Sequence, residues 1–412
     1  MKIIRLKTAV VEGNFDWTYV RLETDEGISG LGECFFAPGL TRVLHELAPV
    51  IVGRDPRDIR CMFRRLQLAS SGAGSVAGTV YNAITGIEMA LWDLMGQWLG
   101  IPIYRLLGGK FRDKVRIYAD CHAGDGLESF DAILQTRSSS WTGNRDDHRK
   151  TNYFEERADQ IVFTPEMYGK RAKEMAALGF TALKFDIDIP NPYALDLYNR
   201  CLTNKEIDYL LSLVGGVREA VGVDVDLAVD CHWRFNVNDA RKLAAGLEQF
   251  RLMWLEDPLP PWSIVEFKEL KASSRTPIAT GENLYLFEGF RSLLEQQALS
   301  IVCPDLQKAG GLGEARRIAE FADSYSVAVA PHNISSPIGT IASVHFCAAT
   351  PNFLALEYHA YDVPFWEDLL EGGCRPVIKD GYIALPEGPG LGVTLNEEVA
   401  RKYARPNEPF FE

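Results

Sequence analysis

VDLAVD (225–230), RLMWLED (251–257) and TPIATGE (276–282) are short runs of β-branched and apolar residues, each reaching a carboxylate near its far end: Asp230, Glu256 and Glu282. The three carboxylates recur at an interval of 26 residues. Each run suits one buried strand and is too short for a helix. Similar runs lie on both sides: VRIYADCH (115–122) and FTALKFD (180–186) before, LSIVCPD (299–305), YSVAVAPH (325–332) and NFLALEYH (352–359) after. Between them stand stretches such as NDARKLAAGLEQF (238–250) and GEARRIAEFADSY (313–325), whose apolar residues recur at three and four. Eight strands alternating with helices over roughly 250 residues predict an α/β fold, a (β/α)8 (TIM-like) barrel. The rival is an open doubly wound sheet with a glycine-rich phosphate turn after its first strand. No such turn is there, and GLG at 311–313 is too short to count as one.

Outside this rhythm the chain reads differently. MKIIRLKTAVV (1–11) and WTYVRLETDEGISGLGE (17–33) read as strands joined by turns, with Glu26-Gly27 as a turn signal. VYNAITGIEMALWDLMGQWLG (80–100) reads as an amphipathic helix stopped by Gly100 and Pro102. The expected organisation is an α+β cap over 1–115, the barrel over 116–364, and a segment over 365–412 that returns to the cap. Two insertions, 123–163 and 187–203, interrupt the barrel on the side where such folds build active sites. Together with Asn14–Trp17 and Phe35–Gly39 of the cap, they are the expected specificity elements, with Trp17 and Asp186 as substrate contacts.

Composition narrows the function. Of 412 residues 47% are hydrophobic and 24% charged, the make-up of a globular protein rather than a disordered or coiled-coil one. The net charge of −13 argues against a nucleic-acid or anionic-membrane surface. The first residues lack the apolar core of a signal peptide, and no run approaches the ~20 residues of a membrane span. The eight cysteines form no CxxC pair, so reduced, buried thiols in a cytoplasmic protein are expected.

Three carboxylates on consecutive strand tips would repel one another strongly in a low-dielectric site. A hard divalent cation resolves this, and oxygen ligands with room for water and substrate suit Mg²⁺. No Cys or His is expected in the trio, which argues against zinc. Lys184 and Asp186 share one face of the second strand, where the lysine reads as a cation for the substrate. Asp305 and His332 end the sixth and seventh strands, so the carboxylate can hold the imidazole in one tautomer as a general base. Glu357 ends the eighth strand, and His232 lies two residues past Asp230.

The order KFD, VDCH, WLEDP, TGEN, CPDLQKAGG, APHN and LEYH, with IEMALWDLMGQWLGIPIYRLLGG leading into the barrel, resembles the mandelate racemase subgroup of the enolase superfamily. The resemblance implies that Asp230, Glu256 and Glu282 bind Mg²⁺. It implies also that Asp305 and His332 form the base dyad and that Glu357 hydrogen-bonds the substrate carboxylate. Racemases of the subgroup carry a K-x-K motif on the second strand, whereas Asp186 stands at its second position here. With His232, this resembles the subgroup's sugar-acid dehydratases of the gluconate and galactonate type.

The expected reaction is C2 proton abstraction by His332, stabilisation of the oxyanion by Lys184 and Glu357, and loss of the 3-hydroxyl with His232 as acid. His332 could also serve as that acid in a syn elimination. The product is a 2-keto-3-deoxy sugar acid. A racemase, epimerase or cycloisomerase is the alternative on the same scaffold, and a non-catalytic binding protein the alternative of another class. A small-molecule sugar acid is the expected partner, and the protein a cytoplasmic homo-oligomer, dimer to octamer.

Overall fold

A computed structural model describes residues 1–73, 76–121, 123, 141, 162–189, 192–195 and 199–412. Three antiparallel strands open the chain: β1 (Ile3–Glu12), β2 (Asp16–Thr24) and β3 (Ser29–Cys34). Helices α1 (Leu40–Ile51), α2 (Ile59–Ala69) and α3 (Thr79–Leu99) follow. Gly30 and Gly32 of β3 let α3 lie directly on the sheet; a Cβ at either would strike the backbone oxygen of Ala90 or Gly86. The expected amphipathic helix is instead buried over most of its surface, because β3 covers one side and the barrel helix Gly311–Asp323 another.

The eight runs become β4 (Lys114–Cys121), β5 (Ala182–Asp186), β6 (Asp226–Asp230), β7 (Trp254–Glu256), β8 (Ile278–Thr280), β9 (Ile301–Val302), β10 (Ala328–Val329) and β11 (Leu356–Tyr358). From β4 to β10 each pairs in parallel with the next, and β11 pairs in parallel with β4. A bridge between Val329 and Phe353, and the bond from Glu357 N–H to the Pro331 carbonyl (3.2 Å), join the seventh strand to the eighth. These links close the ring and exclude the open sheet. Inside it, Tyr118 and Trp254 pack edge to face among Ala182, Ala228, Ala279 and Ala330. Two large rings among small residues fill the barrel beneath its mouth, so the barrel is a packed core rather than a pore.

Buried carboxylates fasten the cap to the barrel. Glu33 accepts bonds from the backbone N–H groups of Ser336 and Gly339, each at 2.9 Å, at the start of helix Pro337–Ala348. Glu88 does the same for Leu312 (3.0 Å) and Gly313 (2.9 Å) at the start of helix Gly311–Asp323. Helix N-termini carry unsatisfied donors and partial positive charge, so a carboxylate from the neighbouring layer fits there. The tail returns to β1: Arg405 N–H bonds the Val10 carbonyl (2.9 Å), and Phe411 N–H the Thr8 carbonyl (2.7 Å).

Among the described residues no helix is long and apolar enough to cross a membrane. All eight cysteines are free, but Cys61, Cys201 and Cys374 are exposed, which corrects the expectation of buried thiols. Most of the 123–163 insertion lies outside the described residues, as does part of 187–203.

Candidate active site

The parallel register aligns the site. Asp186 stands opposite Asp230, and Asp230 opposite Glu256, across β5, β6 and β7. Glu282, Asp305 and His332 lie just past the last paired residues of β8, β9 and β10, while Glu357 lies within β11. Gly281, at φ 146°, makes the turn before Glu282; a Cβ there would sit 2.9 Å from the Phe290 ring.

Lys184 is fully buried on β5. Its ammonium contacts Asp230 Oδ2 (2.9 Å), Glu256 Oε2 (3.3 Å) and Glu357 Oε1 (2.9 Å). The sequence suggested a cation for the substrate; in the structure the ammonium also engages three protein carboxylates. Glu357 also accepts from Tyr118 Oη (3.0 Å) and Asn333 N–H (3.2 Å). Burial pushes the Glu256 carboxyl well above its usual range, and the charges of Asp230, Glu357 and Glu282 add to this against Lys184. Asp230 goes the other way, to about 2: burial opposes ionisation, but His232 and Lys184 outweigh it.

His232 and Trp233 adopt positive φ (40° and 55°) just after Asp230. Left-handed backbone at non-glycine residues costs on the order of 1–3 kcal/mol and clusters at functional sites. Here it presents the His232 ring to Asp188, with Nδ1 3.1 Å from Oδ1. Asp230, His232 and Glu282 each offer a ligand atom within 4.8 Å of one another, as do Asp186, Asp188 and His232. The His232 ring thus stands beside Asp230 and Glu282, while Glu256, which the sequence groups with those two, belongs to neither set. Burial opposes the charged His232 ring, but Asp230, Asp188 and Asp186 raise its pKa well above the ordinary histidine value.

His332 Nδ1 is 2.7 Å from Asp305 Oδ2, and its Nε2 is 3.3 Å from Glu282 Oε2. Burial disfavours imidazolium, yet Glu357, Glu282 and Asp305 outweigh it and raise His332 to about 10. Two histidines, each held by an aspartate, thus flank the carboxylate cluster. Trp17 is not among these groups. Its ring is buried, packed edge-on against Phe365, and its N–H is 3.3 Å from the Ile334 carbonyl oxygen.

Sequence reasoning missed Asp188, although it lies two residues past Asp186, which ends β5, and so continues the Lys184–Asp186 alternation. It also missed a third aspartate–histidine contact. His359 Nε2 is 3.0 Å from Asp120 Oδ2, and Asn14 of the cap donates to the His359 carbonyl at 2.9 Å. Asp120 pairs in register with Lys184, so its side chain points the same way. Cap rings roof the mouth: Phe35 packs at 6.2 Å from His332 and at 4.7 Å from Phe36, which stacks on Phe15 beside His359. A separate groove of about 1600 Å³ between cap and barrel is lined by Arg57, Phe63, Asn283, Tyr285 and Arg317. None of the mouth's carboxylates or histidines lines it.

Two family models match the chain: the mandelate racemase / muconate lactonizing enzyme N-terminal domain over residues 8–108, and the enolase C-terminal domain-like family over 167–399. The chain belongs to the enolase superfamily, in its mandelate racemase group. It is 41% identical to the D-xylonate dehydratase of Haloferax volcanii, covering 100% of this chain and 91% of that protein. It is 31% identical to the D-gluconate dehydratase of Thermoproteus tenax, covering 94% and 70%. The solved mandelate racemase/muconate lactonizing enzyme-like protein of Rubrobacter xylanophilus superposes with a TM-score of 0.89 at 39% identity, covering 100% and 99%. Within the family, the chain is an acid-sugar dehydratase, a hydro-lyase.

Proposed function

We propose that the substrate is an aldonate of the D-xylonate type and that the cofactor is Mg²⁺, held by Asp230, Glu256 and Glu282. The 41% identity to the Haloferax volcanii D-xylonate dehydratase supports the substrate class, and the pair of aspartate-backed histidines facing one buried carboxylate cluster carries the chemistry. Glu256 Oε1 supports the cation: it is buried and, among the described residues, has no hydrogen-bond partner. A buried carboxylate oxygen left unpaired is costly, and a hard cation satisfies it. When bound, the ion supplies positive charge beside the substrate carboxylate and offsets the negative charges that hold His332 protonated.

The chain's own groups then divide the work. His332, oriented by Asp305, takes the C2 proton on Nε2. Lys184 and Glu357 lie beneath the substrate carboxylate and stabilise the charge that develops there. His232, held protonated by Asp188, gives its proton to the 3-hydroxyl as the C3–O bond breaks and water leaves. The enol product tautomerises to a 2-keto-3-deoxy acid. Asp186 stands beside His232, and Asp120, His359 and Asn14 extend the wall from the neighbouring strand, within reach of the chain hydroxyls. A racemase would need a second base on the second strand, where Asp186 stands instead.

The test is release of a 2-keto acid, read by semicarbazide absorbance, from a panel of aldonates and aldarates with Mg²⁺. Turnover of five-carbon aldonates supports the reading. C2 proton exchange without loss of water on every member would point to an epimerase.

A further inference from the structure

Lys308 is a buried lysine that the chemistry above does not use. It lies between β9 and the helix Gly311–Asp323, and its ammonium sits 4.2 Å from the Phe35 ring centroid. Among the described residues it has no ion-pair partner. Its hydrogen bond goes to a neutral group, Asn283 Oδ1, at 2.9 Å. Asn283 Nδ2 in turn donates to Glu282 Oε1 at 2.7 Å.

We propose that Lys308 is a positioning residue for the metal centre, acting through Asn283 on Glu282. This rests on the reading of Glu282 as a metal ligand. An ammonium has three donors and no acceptor, so it decides which way the Asn283 amide faces. With Oδ1 committed to Lys308, the NH₂ group must turn to Glu282. That bond occupies Oε1 and leaves Oε2 on the mouth side, facing His332. Without the lysine only the bond to Glu282 holds the amide, which is then free to rotate away and leave Oε1 without its donor. Phe35 covers the ammonium and excludes the water that would otherwise satisfy it, so the cap loop holds the relay in place.

Two effects of removing Lys308 oppose each other. Loss of a nearby positive charge would tighten binding of a dication by simple Coulomb attraction. Loss of the amide's orientation would weaken it, as removing partners of metal ligands does by ~10–100-fold. The proposal requires the second to win.

The experiment is calorimetric titration of Mn²⁺ into metal-stripped wild type and into Glu256→Gln, Lys308→Met, Lys308→Arg, Asn283→Ala and the Lys308→Met/Asn283→Ala double variant. Each metal-free protein is also melted. Lys308→Met and Asn283→Ala should each weaken Mn²⁺ binding by ~10–100-fold. The double variant should bind no more weakly than Asn283→Ala, because one residue acts through the other. Lys308→Arg, which keeps a donor for Asn283, should retain most of the affinity. Metal-free Lys308→Met should melt no lower than wild type, since it loses a buried cation that has no ion-pair partner among the described residues. Unchanged or tighter binding in Lys308→Met, additive losses in the double variant, or a lower melting point with affinity intact would overturn the proposal. Wild type and Glu256→Gln binding Mn²⁺ alike would instead overturn the metal reading itself, and this proposal with it.

Discussion

Lys184→Met should expose how the carboxylate cluster is held together when no metal is bound. The lysine is buried and lies within 2.9–3.3 Å of Asp230, Glu256 and Glu357, whose side chains are themselves fully buried. Removing one partner of a buried ion cluster leaves uncompensated charge and costs on the order of 3–5 kcal/mol. At roughly 2 °C per kcal/mol for a large domain, the melting point in EDTA should fall by roughly 5–10 °C. The loss should depend on pH. The Glu256 carboxyl is already raised by burial, and removing Lys184 raises it further. An acid with a raised folded pKa contributes stability that is present at low pH and lost as pH rises through that value. The deficit of the variant should therefore be small near pH 5 and grow toward pH 8. Saturating Mg²⁺ replaces the missing positive charge and should narrow it; a ligand at ~1000 times its Kd adds about 4 kcal/mol to the folded state. The assay is differential scanning calorimetry of both proteins at the two pH values, with EDTA and with Mg²⁺. An equal deficit at both pH values, or no deficit in EDTA, would refute the account of Lys184 as the cluster's counter-ion.

His332→Asn should abolish both dehydration and exchange of the C2 proton with D₂O, followed by NMR; surviving exchange would assign the base to another residue. His232→Asn should lower dehydration by ~10²–10⁴-fold while exchange persists, and Asp188→Asn should follow it to a smaller degree. A 3-fluoro substrate, whose leaving group needs less acid help, should rescue both of these variants and not His332→Asn; equal failure of all three would leave one histidine performing both proton transfers. Burial raises Glu88 from the ordinary carboxylate range to about 7, against the donors of Gly313, Trp92 and Leu312. Its stabilising contribution is therefore full below the unfolded value and lost as pH rises through about 7, by about 3 kcal/mol. Glu88→Gln should flatten that part of the stability profile in denaturant titrations between pH 4.5 and 8, and an unchanged slope would show Glu88 ionised throughout.

The barrel and the gathering of acids and histidines at one mouth were legible in the sequence. Strands and helices announce themselves by local periodicity, and a closed parallel barrel brings its strand ends to one face. Asp230, Glu256, Glu282, Asp305, His332 and Glu357 follow from reading those ends in order, and the resemblance in their motifs carried the family and the reaction class. What folding alone decided depends on contacts between residues far apart in the chain. Asn14 reaches the carbonyl of His359 across 345 positions, and Lys308 meets Asn283 across 25. No period or spacing announces either contact. The same holds for Lys184, which the sequence presents as a cation for the substrate and the barrel interior surrounds with carboxylates from β6, β7 and β11. It holds for Trp17, whose burial against Phe365 no local pattern announces. Periodicity is a property of neighbours along the chain, whereas burial and charge pairing are set by which strands and helices come to share a volume, and only the closed barrel with its cap settles that.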